Sequence, residues 1–166
     1  LPSRGLGDVY KRQPKNAAAR QSLMLAASQA GMAFSNASVA LVHGMSRPIG
    51  AHFHVAHGLS NAMILPHVTK FSIDTSEARY AKCARVMDWA HEHDSNASAC
   101  EKLVENLRIL NSDLKVPSPR SLGLVGDANI FDLMASQAIA SGSPQNNPRI
   151  PTQAEIMRLY HDIWLD

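Results

Sequence analysis

An all-α fold is what the sequence predicts, and three observations predict it. Apolar residues recur at helical spacing in several separate stretches, the polar-x-x-Glu signature of a helix start occurs three times, and no stretch alternates apolar with polar residues as a half-buried strand does. At 166 residues the chain can enclose one real hydrophobic core and is too short for two full-sized domains.

The opening LPSRGLGDVYKRQ, residues 1–13, has neither a helical nor a strand period and mixes glycine with basic residues. It reads as a non-native scar or, alternatively, a native flexible leader, and on either reading it stays outside the fold. The folded domain is expected over 14–166. From there Leu23, Ala26, Ala27, Ala30 and Phe34 follow the i, i+3, i+4, i+7 rule in an alanine-rich stretch, which predicts a helix of about 20 residues. Asp74 with Glu77, Ser98 with Glu101 and Thr152 with Glu155 have capping-box spacing and predict helices near 75–90, 98–113 and 152–164. Leu103, Leu107, Leu110 and Leu114 form an apolar stripe on the second, and Ile156, Leu159, Tyr160, Ile163 and Trp164 a stronger one on the third, so both faces should be buried. Ile130, Leu133, Met134 and Ala138 predict a further helix around 126–140. VPSPRSLG and SGSPQNNPRIP read as connecting loops.

Composition narrows the function. Sixteen Lys and Arg against fourteen Asp and Glu leave a formal charge of +2, with no basic block or basic-aromatic stripe to grip a phosphate backbone, so nucleic acid is not an expected partner. Cys83 and Cys100 lie 17 residues apart without CxxC spacing and read as free thiols of a reducing, cytoplasmic compartment. No apolar run approaches the roughly 20 residues of a membrane helix, and the start of the chain has no hydrophobic signal core.

Histidine is the unusual residue. Five of the eight (His43, His52, His54, His57 and His67) fall within GMAFSNASVALVHGMSRPIGAHFHVAHGLSNAMILPHV, residues 31–68. A neutral imidazole offers one lone pair to a divalent first-row metal while its other N–H is fixed by a neighbouring acceptor, so two imidazoles brought together make half a metal site. In one straight helix His43 and His57 would lie within roughly 40° of the same face, but Pro48 and Gly50 predict two helices meeting at a turn. The first should end in or just beyond HGMSRPIG and the second begin near His57-Gly58, with Pro66 a kink or a stop. By spacing alone, His52, His54 and His57 are an equal candidate as an H-x-H-x-x-H cluster.

Residues 31–68 resemble the signature of the iron-containing (group III) alcohol dehydrogenases, in which a histidine in a G-L-V-H-G-M segment and another in a P-H-G segment bind the metal. The matching positions are His43, in ALVHGM, and His57, in AHG. NNPRIPTQAEIMRLYHDIW is similar to the family's closing N-P-R segment and last helix, so the resemblance runs from about residue 17 to the end. It implies a helical bundle domain of the dehydroquinate synthase-like, iron alcohol dehydrogenase type. It further implies His43 and His57 as metal ligands, with His52 and His54 lining or abutting the cavity. Phe34 falls where family members place an aromatic in the substrate pocket, although by spacing it is equally a core residue of its helix. Ser143 lies where many relatives have a cysteine near the cofactor, on a poor local match. Arg47 stands where several relatives have histidine, and Ala56 replaces the frequent proline before His57.

The resemblance also implies what this sequence does not contain. Family enzymes take an Asp and a His ligand from an upstream D-A-x-x-H-A-type segment and bind NAD or NADP with an N-terminal α/β domain, so the cofactor-binding residues are not identifiable here. The expectation is the C-terminal part of a homo-oligomeric oxidoreductase acting on a primary alcohol or aldehyde with Fe2+, and inactive by itself. The alternatives are a zinc-dependent glycerol or polyol dehydrogenase of the same architecture and a non-catalytic helical interaction module.

Overall fold

The computed structural model describes residues 16–165, so the leader expected over 1–13 lies outside the described residues. Among these there are six α-helices, one 3-10 turn and no strand, in agreement with the all-α expectation.

Helix α1 spans Ala17–Ala37, and the Asn16 side chain caps it by accepting from the Ala19 N–H at 3.0 Å. Only Ala19 is buried; Met24, Met32 and Phe34 are more than half exposed. The core reading of Phe34 is therefore corrected. The stripe exists, but α1 leaves the body at a bend of 105° to the next helix, and no described element covers it. Ser38 makes the corner with φ 64° and ψ 177°, a conformation that favours glycine.

Helix α2 spans Leu41–Phe53 and α3 spans His57–Val86; two helices are expected here, but Pro48 and Gly50 are accommodated inside α2 and the break falls after Phe53, at His54. Pro66 is accommodated inside α3. The helix predicted over 75–90 is the second half of α3: the run kinks at Ser76 (φ −145°, ψ 33°), where two helices join end to end, and stops at Val86. Asp74 does not cap a helix; Arg149 takes its carboxylate at 2.9 Å.

Helix α4 (Asn96–Asp113) has its cap three residues before Ser98, the predicted one. Ser95 is the cap and accepts from the Ser98 N–H at 3.1 Å. Helix α5 (Ala128–Ala140) is capped by Asp127. The 3-10 turn covers Ser143–Asn146 and α6 covers Gln153–Leu165. In front of α6 the Thr152–Glu155 box forms as predicted: the Thr152 N–H donates to Glu155 Oε2 at 2.8 Å and the Glu155 N–H donates to Thr152 Oγ1 at 3.3 Å.

The main core lies where α2, the first half of α3, α5 and α6 meet. Leu41, Met45, Ile49, Ile64, Met134 and Ile156 are fully buried there, each contributing about 1.5–3 kcal/mol by leaving water. Phe53, Phe131, Tyr160 and Trp164 form an aromatic cluster with centroids 5.2–6.2 Å apart. A smaller core joins the second half of α3 to α4 through Ala81, Ala84, Ala99, Cys100 and Leu103. No single helix among the described residues is long and apolar enough to cross a membrane.

Candidate metal centre

The turn between α2 and α3 brings the two signature histidines together. From His43 to Phe53 the helix carries the chain about 15 Å away, so the following segment must double back. His54 reverses it in the left-handed conformation (φ 54°, ψ 28°), and the returning Val55 carbonyl passes so close to Gly50 that a Cβ there would lie 3.3 Å from its oxygen. The start of α3 then lies beside the start of α2, and the rings of His43 and His57 meet with centroids 5.1 Å apart and planes tilted by 51°.

His43 is held below the ordinary histidine pKa, first by burial, then by His57 and by Arg47 one turn further along α2. A neutral ring keeps a lone pair free at neutral pH, as a metal ligand must. The Asn61 amide, one turn along α3, donates to His57 Nε2 at 3.1 Å. Among the described residues no third His, Cys, Asp or Glu joins the pair to complete a metal cluster. The donor set thus fits half of a first-row divalent site.

The other expected positions have defined surroundings. His52 Nε2 hydrogen-bonds Gln137 Oε1 on α5 at 2.9 Å, which ties two helices together. His54 is exposed and serves the backbone turn. Ser143 is buried, and its hydroxyl accepts from Arg47 Nη1 at 3.0 Å. Gly44, next to His43, lets the 3-10 turn approach this closely, because a Cβ would meet Pro144 at 3.0 Å. Phe34 stands on the exposed side of α1.

Sequence reasoning missed the clamp that joins α3 to α6. Asn147 is buried and its amide donates to Ser72 Oγ at 2.9 Å and the Arg149 carbonyl at 2.7 Å. Arg149 lies 4.0 Å over the Phe71 ring and joins Asp74 on α3 to Glu155 on α6 at 2.9 and 2.8 Å. The signal was present in NNPR, read as a loop and as the family's closing N-P-R segment but assigned no contacts. A cleft of about 560 Å³ between α3 and α4, lined by Lys70, Glu77, Cys100 and Glu101 among others, contains neither signature histidine.

The fold is an all-helical domain in which the turn after α2 brings two histidines into contact, and comparison with known proteins gives the family. The description "Fe-containing alcohol dehydrogenase family, C-terminal" matches residues 6–164. This chain therefore belongs to the Fe-containing alcohol dehydrogenase family, by its C-terminal part. It is similar to lactaldehyde reductase of Escherichia coli K12, 35% identical over 147 residues, covering 88% of this chain and 38% of that protein. It is 31% identical over 159 residues to the NADPH-dependent butanol dehydrogenase of Clostridium saccharobutylicum, covering 94% and 40%. Among solved structures, 1,3-propanediol oxidoreductase superposes with a TM-score of 0.84 at 31% identity, covering 90% of this chain and 39% of that one. The chain thus spans about two fifths of the length of the relatives it matches.

Proposed function

We propose that this chain supplies the metal-binding side of an NAD(P)-dependent oxidoreductase for small primary alcohols or aldehydes, with His43 and His57 as two of the ligands. The observation that carries the reading is their 5.1 Å ring contact, made by the two histidines that stand in the family's signature segments. Imidazole suits ferrous iron and zinc alike. When bound, such an ion supplies Lewis-acid polarisation of the alcohol or carbonyl oxygen, and nicotinamide accepts or returns the hydride. The chain's own residues have distinct tasks. His43 and His57 present ring nitrogens beside one another, Arg47 is steadied by Ser143, and the His54 turn keeps the two helix starts together. Phe34, His54 and Ser143 are proposed for the substrate side, Ser143 acting through Arg47. The substrates in the relatives' names, lactaldehyde, butanol and 1,3-propanediol, are the compounds to try first.

The test joins this chain behind the N-terminal part of E. coli lactaldehyde reductase and follows nicotinamide absorbance together with metal content. His43→Ala and His57→Ala should each lose metal and turnover, and His54→Ala should keep the metal. Loss of metal in the His54 variant alone would move the site to the H-x-H-x-x-H cluster. The chain without the added part should show no NAD(P)-linked turnover, because positioning of two bound reactants is worth about 7–11 kcal/mol and the described helices offer no dinucleotide fold.

A further inference from the structure

Asn61 lies four residues after His57 on α3, the spacing at which side chains on a helix face meet. Its amide Nδ2 is 3.1 Å from His57 Nε2. Its Oδ1 is buried and has no hydrogen-bond partner among the described residues. A buried acceptor without a donor is costly, and an amide that merely filled space could be replaced by an apolar side chain with gain. The arrangement is explained if the N–H is needed on the ring.

We infer that Asn61 is a positioning residue for His57: its amide N–H donates to Nε2 and thereby holds the ring with the proton on Nδ1. An imidazole that accepts at Nε2 must carry its proton on Nδ1 when neutral. The only lone pair such a ring can offer is the one on Nε2, which is the form a metal-ligating histidine takes while its other N–H is held elsewhere. Asn61 thus selects the tautomer whose lone pair is on Nε2, and its N–H occupies that lone pair from one turn away. The same lone pair would pass from the amide to a cation. The purpose of this device rests on the metal reading above, but the tautomer does not.

The experiment is a long-range 1H–15N correlation on the histidine rings of the full chain, at a pH where His57 is neutral, for the wild type, Asn61→Asp and Asn61→Leu. The wild type should show His57 with Nδ1 protonated and Nε2 bare. Asn61→Asp replaces the donor by an acceptor and should reverse the tautomer, giving an Nε2–H. Asn61→Leu should lose the preference for Nδ1–H. A role confined to stabilising the helix would lower stability without reversing the ring proton. A wild-type ring carrying Nε2–H overturns the inference whether or not the variants fold, and so does one unchanged tautomer in all three proteins. Zinc titration of His43→Ala on the same preparation tests the metal reading separately. Zinc uptake indifferent to His43, with the tautomer reversing as stated, refutes the metal reading and leaves the positioning of His57 standing.

Discussion

Replacing Tyr160 with phenylalanine removes one oxygen from the centre of the core and little else. The Tyr160 hydroxyl is buried and donates to the Met45 carbonyl at 2.7 Å, which ties α6 to α2 two residues beyond His43. Burial pushes the phenol well above its ordinary pKa, so the hydroxyl stays a donor across the working range. The phenyl ring would keep its stacking on Phe131 and its edge contact with Trp164, so the cost is the hydrogen bond and the acceptor left behind, about 1–2 kcal/mol. For a chain of this length each kcal/mol moves Tm by about 2–4 °C, giving a fall of roughly 2–8 °C. Thermal unfolding followed by circular dichroism measures it. A Tyr160→Phe protein as stable as the wild type would refute the claim that this bond joins α6 to α2.

Other expectations follow from single contacts. The Thr152 N–H, aided by the Thr152 hydroxyl and Arg149, lowers the Glu155 pKa; a lowered carboxylate stabilises the fold above its ordinary value of 4.5 and loses that contribution as pH falls through the lowered one. Glu155→Gln should therefore flatten the acid limb of a stability-against-pH curve, and an unchanged limb would rule out this carboxylate as its source. Gly44→Ala should destabilise, because a Cβ 3.0 Å from the rigid, buried Pro144 ring costs about 1–3 kcal/mol, more than the roughly 1 kcal/mol that alanine returns in helix propensity; denaturant titration showing a gain would contradict the contact. Hydrogen exchange should be fast throughout Ala17–Ala37, which buries only Ala19, and slow at Ile64 and Ile163, which are fully or almost fully buried. Equal protection would mean that α1 is covered.

What the sequence made legible was local. The Thr152–Glu155 box holds because both partners belong to one turn; a break between His43 and His57 was expected, but Pro48 and Gly50, which suggested it, both lie inside α2, and the turn is made by His54 in the left-handed conformation. Asp74 was misread as a cap because its true partner, Arg149, is 75 residues away and invisible to spacing. The α4 start was misplaced within SNAS, where two serines compete and only the geometry chooses Ser95. The α1 stripe was seen correctly as a pattern, but a pattern does not say whether a neighbour covers it. At the site, His43 and His57 came from the family resemblance, since spacing alone left the His52, His54 and His57 cluster open. The structure adds the reason they meet, the left-handed turn at His54 and the close pass at Gly50. Asn61 escaped notice because an asparagine four residues from a histidine means nothing until its amide is seen on the ring.

The central claim is that His43 and His57 together hold a divalent cation, and the ring nitrogens report on it directly. The 15N-labelled chain is titrated with Zn2+ while every histidine ring is observed. The account predicts that His43 and His57 respond first and together, that His54 does not follow them, and that His43→Ala abolishes the response of His57. A first response from His52, His54 and His57, or from the exposed stacked pair His91 and His93 with His43 and His57 unmoved, would contradict it.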